Sequence, residues 1–207
     1  MAIEFENVSK SFGDNIVLQD FSLTLPDSGV VTIMGPSGYG KTTLLRLLAG
    51  LETPDSGQIV AQYNRLTMVF QENRLLSGVT ALGNILSVLD EKNETLAMQW
   101  LEHMGLADSA DLLPIELSGG MRRRLSIARA MAFGGDFVLL DEPFAGLDDT
   151  TRLRIYPFLF GDESLSRLTI LVTHDRQEAE AVSDRLIVME GPILKIREDT
   201  ILSKNSF

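Results

Sequence analysis

The sequence predicts an α/β fold: a mostly parallel sheet covered by helices, with an N-terminal antiparallel β lobe and an inserted helical lobe. Three observations carry this. Short apolar runs alternate with helically spaced segments over most of the chain, the order expected of parallel strands with helical crossovers. The first 30 residues instead alternate apolar and polar positions, as antiparallel strands with one wet face do. Between about 75 and 117 strand-like runs give way to apolar residues at helical spacing.

Taken in order, Ile3, Phe5 and Val8, then Ile16, Leu18, Phe21, Leu23 and Leu25 mark short antiparallel strands, with Gly13, Asp14 and Asn15 turning between them. Val30–Met34 is a continuous apolar run ending in glycines, the pattern of a buried strand. Thr42–Ala49 is helical, with Gly50 placed to cap it. Gln58–Ala61 and Leu66–Phe70 read as two more strands. Val79, Leu82, Ile85, Leu86 and Leu89 share one helix face, and Leu96, Trp100, Leu101 and Met104 another, closed by Gly105. Leu125, Ala128 and Met131 mark a third helix that Gly134 and Gly135 end. Phe137–Leu140 and Thr169–Val172 are apolar strands with helical sequence between and after them, and Arg185–Met189 and Ile193–Ile196 close the chain as a strand pair. No internal repeat or long linker divides the sequence. Residues 1–207 are therefore read as a single domain, with 1–74 and 118–207 as the core with its β lobe and 75–117 as the helical lobe.

Composition narrows the chemistry. With 44% hydrophobic and 23% charged residues the chain is ordinary globular protein. It has no cysteine, which excludes disulfides and thiol catalysis. Its two histidines, His103 and His174, lie far apart and form no metal-ligand cluster. A net charge of -11 repels phosphate backbones and anionic lipid, so neither nucleic acid nor direct bilayer insertion is expected. No apolar run approaches the roughly 18 residues of a bilayer span, and the opening MAIEFENVSK lacks the order of a secretory signal. Any link to a membrane is expected to run through another protein.

The segment Gly35, Pro36, Ser37, Gly38, Tyr39, Gly40, Lys41, Thr42 fits the phosphate-loop pattern G-x-x-x-x-G-K-S/T, with Thr43 following. Glycines let the backbone turn sharply and aim successive N–H groups inward, and the next helix adds its positive end. Lys41 can reach β- and γ-phosphates and the Thr42 hydroxyl can ligate Mg²⁺. A strand before and a helix after the loop set it apart from a glycine-rich turn that binds nothing. Phe137–Leu140 ends in Asp141 and Glu142. There a metal-holding carboxylate and a general base would stand at the C-terminal edge of the sheet; the plainer reading is a solvated turn. Thr169–Val172 leads likewise to His174, either an exposed structural histidine or a group that senses a γ-phosphate.

The order of these motifs resembles the ABC ATPases. Leu117, Ser118, Gly119, Gly120 and Met121 are similar to that family's signature motif and lie between the phosphate loop and the Asp141–Glu142 strand, as they do there. Ser118 is a good N-cap, and two glycines free the backbone at a helix start, which makes a second anion site. The resemblance implies a P-loop (RecA-like) core that binds ATP and Mg²⁺. It also implies a head-to-tail pair of chains, in which Ser118 and Gly120 of one chain cover the ATP held by the other. On the same basis Gln71 contacts Mg²⁺ and the attacking water, Asp148 crosses the dimer interface, and Phe12 stacks on adenine where tyrosine is commoner. The implied catalytic set is Glu142, His174, Gln71 and Lys41, and the implied metal set is Thr42, Gln71 and Asp141.

The resemblance further implies a membrane-spanning permease docked between core and helical lobe, largely on Leu75–Leu89, and a cytoplasmic chain held peripherally at the inner membrane face. Met121 in place of the signature glutamine resembles the nitrate, sulfonate and taurine importer group. Only residues 58–70 separate Gly57 from Gln71, so the antiparallel lobe is expected to lack a hairpin. With 33 residues after His174, no added regulatory domain is expected. A soluble ABC ATPase acting on DNA or ribosomes is the alternative class. The short, heptad-free stretch between Lys41 and Ser118, the single cassette and the acidic charge all disfavour it. Intact Glu142 and His174 argue against a subunit that binds without turnover. Arg122, Arg123 and Arg124 read as a solvated face, or else as contacts to phosphate or a partner.

Overall fold

The computed structural model describes residues 3–161 and 166–202. β1 (Ile3–Phe12) and β2 (Asn15–Leu25) form an antiparallel ribbon, and β4 (Ser56–Val60) lies antiparallel on the other side of β1. β1 and β2 are long, 10 and 11 residues, where short strands were expected. The pairing shifts register between Phe5 and Val8 and again between Val8 and Lys10, and Asn7 takes a left-handed φ of 48° there. Bulges of this kind bend a strand without ending it, so a break in the alternation is not the end of the element. β4 passes to β5 (Leu66–Val69) through residues 61–65 with no further hairpin, as the short Gly57–Gln71 spacing predicts.

The second sheet has the order β5-β6-β7-β3-β8-β9, with β3 at Gly29–Met34, β6 at Phe137–Asp141, β7 at Leu168–Val172, β8 at Arg185–Glu190 and β9 at Lys195–Ile201. β5 to β8 run parallel and only β9 is antiparallel. All the parallel strands therefore deliver their C-terminal ends to one edge. The predicted start of the last strand, Ile193, falls in a turn. Leu194 is buried and donates its N–H to Val17 O at 2.9 Å, so it leaves the ladder to pack under β2. β9 then alternates half-buried and exposed residues, with charges on the open side of an edge strand.

The sheet separates two cores. Phe137, Leu139, Ile170 and Val172 face α1 (Lys41–Leu48) and the β lobe. Val138, Leu140 and Leu171 face the helical side, where Ile85, Leu101 and Met104 join Leu125, Ala128, Phe144 and Tyr156. Each such fully buried leucine or isoleucine contributes about 2 kcal/mol, and the alternation along β6 and β7 places that burial on both faces.

Residues 75–117 hold α2 (Ala81–Leu86), α3 (Glu94–His103) and a 3₁₀ turn (Ala107–Ser109), with no strand. The helical face expected over Val79–Leu89 is shortened at both ends. Thr80 caps α2 by accepting from Gly83 N at 3.1 Å, and the buried Asn84 amide donates to the carbonyls of Leu76, Val79 and Thr80. Hydrogen bonds outside the helix thus hold residues 76–80 as a loop. α4 (Gly119–Phe133), α5 (Asp149–Phe160) and α6 (Arg176–Val182) complete the fold. The three arginines at the start of α4 do not form a solvated face. Arg122 donates to Pro114 O and Leu117 O, Arg124 to Met104 O and Gly105 O, and Arg123 is buried. Carbonyl partners offset what positive charge costs at a helix N-terminus.

Candidate functional site

β3 ends in the phosphate loop, and α1 begins at its far side. Gly40 caps α1 in the left-handed region, with φ 93°, and a Cβ there would overlap the Val17 side chain. A Cβ at Gly35 would stand 2.7 Å from Met189 O. Both positions thus require glycine on steric grounds as well as conformational ones. Lys41 is buried at the centre of the loop and donates from Nζ to Gly35 O at 2.7 Å and Pro36 O at 2.8 Å. Burial pulls its pKa below the usual lysine value, and the Glu142 and Asp141 carboxylates work against that pull.

Thr42 Oγ1 donates to Asp141 Oδ2 at 2.9 Å, tying the start of α1 to the end of β6. Burial pushes the Asp141 carboxyl up, and Glu142 adds to that. The Thr42 hydrogen bond and the charges of Lys41 and Arg123 draw it back. Glu142 leaves the strand with φ 46°, a left-handed value that costs a non-glycine residue on the order of 1–2 kcal/mol. Its N–H is held by Val172 O at 2.9 Å, and its Oε1 lies 3.4 Å from His174 Nδ1. His174 is two-thirds exposed, whereas the Glu142 side chain is mostly covered. Behind His174, Thr173 Oγ1 donates to Glu178 Oε2 at 2.9 Å, and Asp175 caps α6 by accepting from the N–H groups of Gln177 and Glu178. Burial pushes the Glu178 carboxyl up to about 7.

Lys41, Thr42, Asp141 and Glu142 meet in a cleft of about 280 Å³, which His174 does not line and approaches only through Glu142. Phe12, Ser37, Gly38, Gly40, Lys41, Thr42, Thr43, Gln71, Asp141 and Glu142 line it, with Asn15, Val17 and Val172. Gly35 and Pro36 offer their carbonyls to Lys41, and Tyr39 packs against the core on the α1 side of the sheet. Ser118 and Asp148 do not line the cleft. They cap α4 and α5, accepting from Met121 N at 3.2 Å and Thr151 N at 2.9 Å. Gly120 lies with Ser118, also away from the cleft. Asn15, Val17, Thr173 and Glu178 carry no motif that sequence reasoning could have found. A larger hollow of about 590 Å³ near the N-terminal ends of β6 and β7 has Asp27 and Asp136 in its lining and no lysine or arginine, which suits it poorly to a polyphosphate.

Among the described residues no three or more His, Cys, Asp or Glu side chains cluster as a metal site. The oxygen donors of Thr42 and Asp141, 2.9 Å apart, with Gln71 on the same cleft, suit Mg²⁺. That ion binds through one or two carboxylates and completes its shell with phosphate and water. No helix among the described residues is long and apolar enough to cross a membrane.

Comparison with known proteins agrees with this geometry. The ABC transporter family model matches residues 18–145. The chain is 42% identical over 193 residues to the aliphatic sulfonates import ATP-binding protein SsuB 1 of Nocardia farcinica, covering 92% of this chain and 78% of that one. It is 40% identical over 210 residues to the sulfate/thiosulfate import ATP-binding protein CysA of Salmonella typhi. That match covers 91% of this chain but only 58% of the relative's length. The solved dimeric structure of the ATP-binding cassette MJ0796 in a post-hydrolysis state, bound to ADP and Pi, superposes with a TM-score of 0.85 at 27% identity, over 97% of this chain and 99% of that one. Such a match over most of the sequence, by a chain folded to carry a phosphate loop and two carboxylates on one sheet edge, makes this protein a member of the ABC transporter family.

Proposed function

We propose that the chain binds and hydrolyses MgATP as the nucleotide-binding subunit of an importer, working as a head-to-tail pair beneath a membrane-spanning permease. The observation that carries this reading is the meeting of Lys41, the Thr42–Asp141 pair and Glu142 at one cleft, with His174 3.4 Å from Glu142 beside it.

In this reading the loop N–H groups and Lys41 grip the β- and γ-phosphates, and Phe12 stacks on the adenine. Thr42, Asp141 and Gln71 would hold Mg²⁺, which would supply neutralisation of phosphate charge. Glu142 orients a water and accepts its proton. His174 steadies the Glu142 carboxylate from 3.4 Å and offers its exposed edge to the γ-phosphate. A partner chain's Ser118 and Gly120 close the cleft, with Asp148 at the interface. The glycines support this pairing: a Cβ at Gly119 would meet nothing within 4 Å, and one at Gly120 only Leu147 Cδ2 at 3.5 Å. Nothing within the single chain requires glycine at 119, whereas a partner's nucleotide brought close to the helix end would.

A groove of about 290 Å³ between β5 and α4, lined in part by Met68, Phe70, Val88, Ala130 and Phe133, supports docking of the permease between core and helical lobe. Val88 falls within the segment expected to make that contact, and Leu76, nearby in sequence, is exposed. The chain would then sit on the cytoplasmic face, peripheral to the membrane. Its identity to the sulfonates import protein, with Met121 in the signature, supports a small solute of the nitrate, sulfonate or taurine group.

The test is calorimetry with MgATP followed by phosphate release, with and without the detergent-solubilised membrane subunit that copurifies. Binding heat and turnover stimulated by that subunit are expected. No heat with MgATP, or capture of nucleic acid in place of a membrane protein, overturns the reading.

A further inference from the structure

We propose that Arg123 is a positioning residue for hydrolysis: from the second turn of α4 its guanidinium pins the backbone on both sides of the cleft, at Gln71 and at Glu142. The inference rests on the ATPase reading above. It adds a group that touches neither nucleotide nor metal and acts through the residues that do.

The geometry is unusually complete. Arg123 Nε donates to Pro143 O at 2.7 Å. Nη1 donates to Phe70 O at 2.6 Å and Gln71 O at 3.1 Å. Nη2 donates to Asp141 O at 3.0 Å and Glu142 O at 2.6 Å. A guanidinium carries five N–H donors in a fixed fork, so every one is used, and every acceptor is a main-chain carbonyl. The acceptors come from two segments far apart in sequence, 70–71 after β5 and 141–143 after β6. The side chain is 4% exposed. A buried cation without a direct ion pair is costly. Here carbonyl dipoles carry the compensation, and the charges of Asp141 and Glu142 oppose the pull of burial on the guanidinium.

Glu142 supplies the reason this matters. Its φ of 46° is one that a non-glycine residue keeps only when its surroundings over-determine it. Three consecutive carbonyls, at 141, 142 and 143, are held by one rigid side chain, and that fixes the peptide planes on either side of Glu142. The direction of the Glu142 carboxylate, 3.4 Å from His174 Nδ1, follows from those planes. The same fork holds Gln71, and it grows from the turn that follows the one Ser118 caps. Arg123 therefore joins the helix end that faces a partner chain to the two residues that handle the attacking water. An ammonium presents three donors from a single point and cannot reach all five acceptors.

The experiment compares Arg123→Met and Arg123→Lys with the wild type in MgATP calorimetry and steady-state phosphate release. In R123M, kcat is expected to fall at least about tenfold, part of the roughly 10²-fold that a general base supplies, while the dissociation constant for MgATP stays within about twofold. R123K, which keeps charge and length should R123M not fold, is expected to lose less kcat with the same unchanged affinity. In the Glu142→Gln background, R123M is expected to add little further loss, since residues acting through one group are not additive. A kcat within twofold of wild type in R123K and in any folded R123M overturns the inference. So does a fall in ATP affinity that matches the fall in kcat, or a fully additive loss in the E142Q background. A wild-type chain that binds MgATP but never releases phosphate overturns the ATPase reading itself, and the inference with it; wild-type turnover left intact in R123M overturns the inference alone.

Discussion

Glu142 stands at the sharpest point of the site, in a backbone conformation that favours glycine and next to a histidine. If it takes the proton of the attacking water, Glu142→Gln keeps the shape and loses the base. Phosphate release should then fall at least about 10²-fold while MgATP still binds; near-normal turnover in that variant removes Glu142 from the role. Lys41→Ala acts earlier. The ammonium is held by two loop carbonyls at the loop's centre, so its loss should weaken MgATP affinity itself, and calorimetry giving wild-type affinity would remove the loop from the binding site. At this scale the sequence was most legible where chemistry is local. The loop, Asp141–Glu142 and His174 are contiguous patterns, and the structure gathers them at one sheet edge. Arg123 was not legible, because its acceptor Phe70 O lies 53 positions away and nothing near Arg123 announces it. Three adjacent arginines look like a wet helix face until the carbonyls that receive them are known.

At the scale of the element, local signals lost wherever a tertiary hydrogen bond competed with them. Residues 79–89 have a helical period, yet Thr80 and Asn84 restrict α2 to six residues. Ile193 begins an apolar pattern, yet Leu194 turns inward under β2. The turn from β7 into α6 carries a pH dependence of its own. Glu178 is buried with one carboxylate oxygen on Thr173 and the other without a partner, and its pKa rises from 4.5 to about 7. Arg152 and His174 pull that value down and Asp175 pushes it up. A carboxyl with a raised folded pKa favours folding while it is protonated. Its contribution is whole below about pH 4.5 and is lost as pH climbs through 7. The loss amounts to about 3 kcal/mol at 1.36 kcal/mol per unit. Denaturant unfolding should therefore show wild type losing stability relative to Glu178→Gln between about pH 5 and 8. Parallel stability curves for the two proteins across that range would remove Glu178 as the source.

At the scale of the whole molecule, the two halves of the proposed composite site lie apart within one chain. The phosphate loop and carboxylates are on one surface of the chain, and the Ser118–Gly120 helix start is not part of the cleft they form. A head-to-tail pair solves this by symmetry, since each composite site takes its loop from one chain and its helix start from the other. Two damaged chains should then repair each other. Lys41→Ala has an intact helix start and a broken loop, and Ser118→Arg has an intact loop and a helix start blocked by bulk. Each alone should release almost no phosphate. In an equal mixture half of the pairs are mixed, and each mixed pair joins the sound loop of one chain to the sound helix start of the other at one of its two sites. Turnover should recover to about a quarter of wild type on that count. If Ser118 instead served the loop of its own chain, every site in the mixture would still hold one defect, and the mixture would be as inactive as its components.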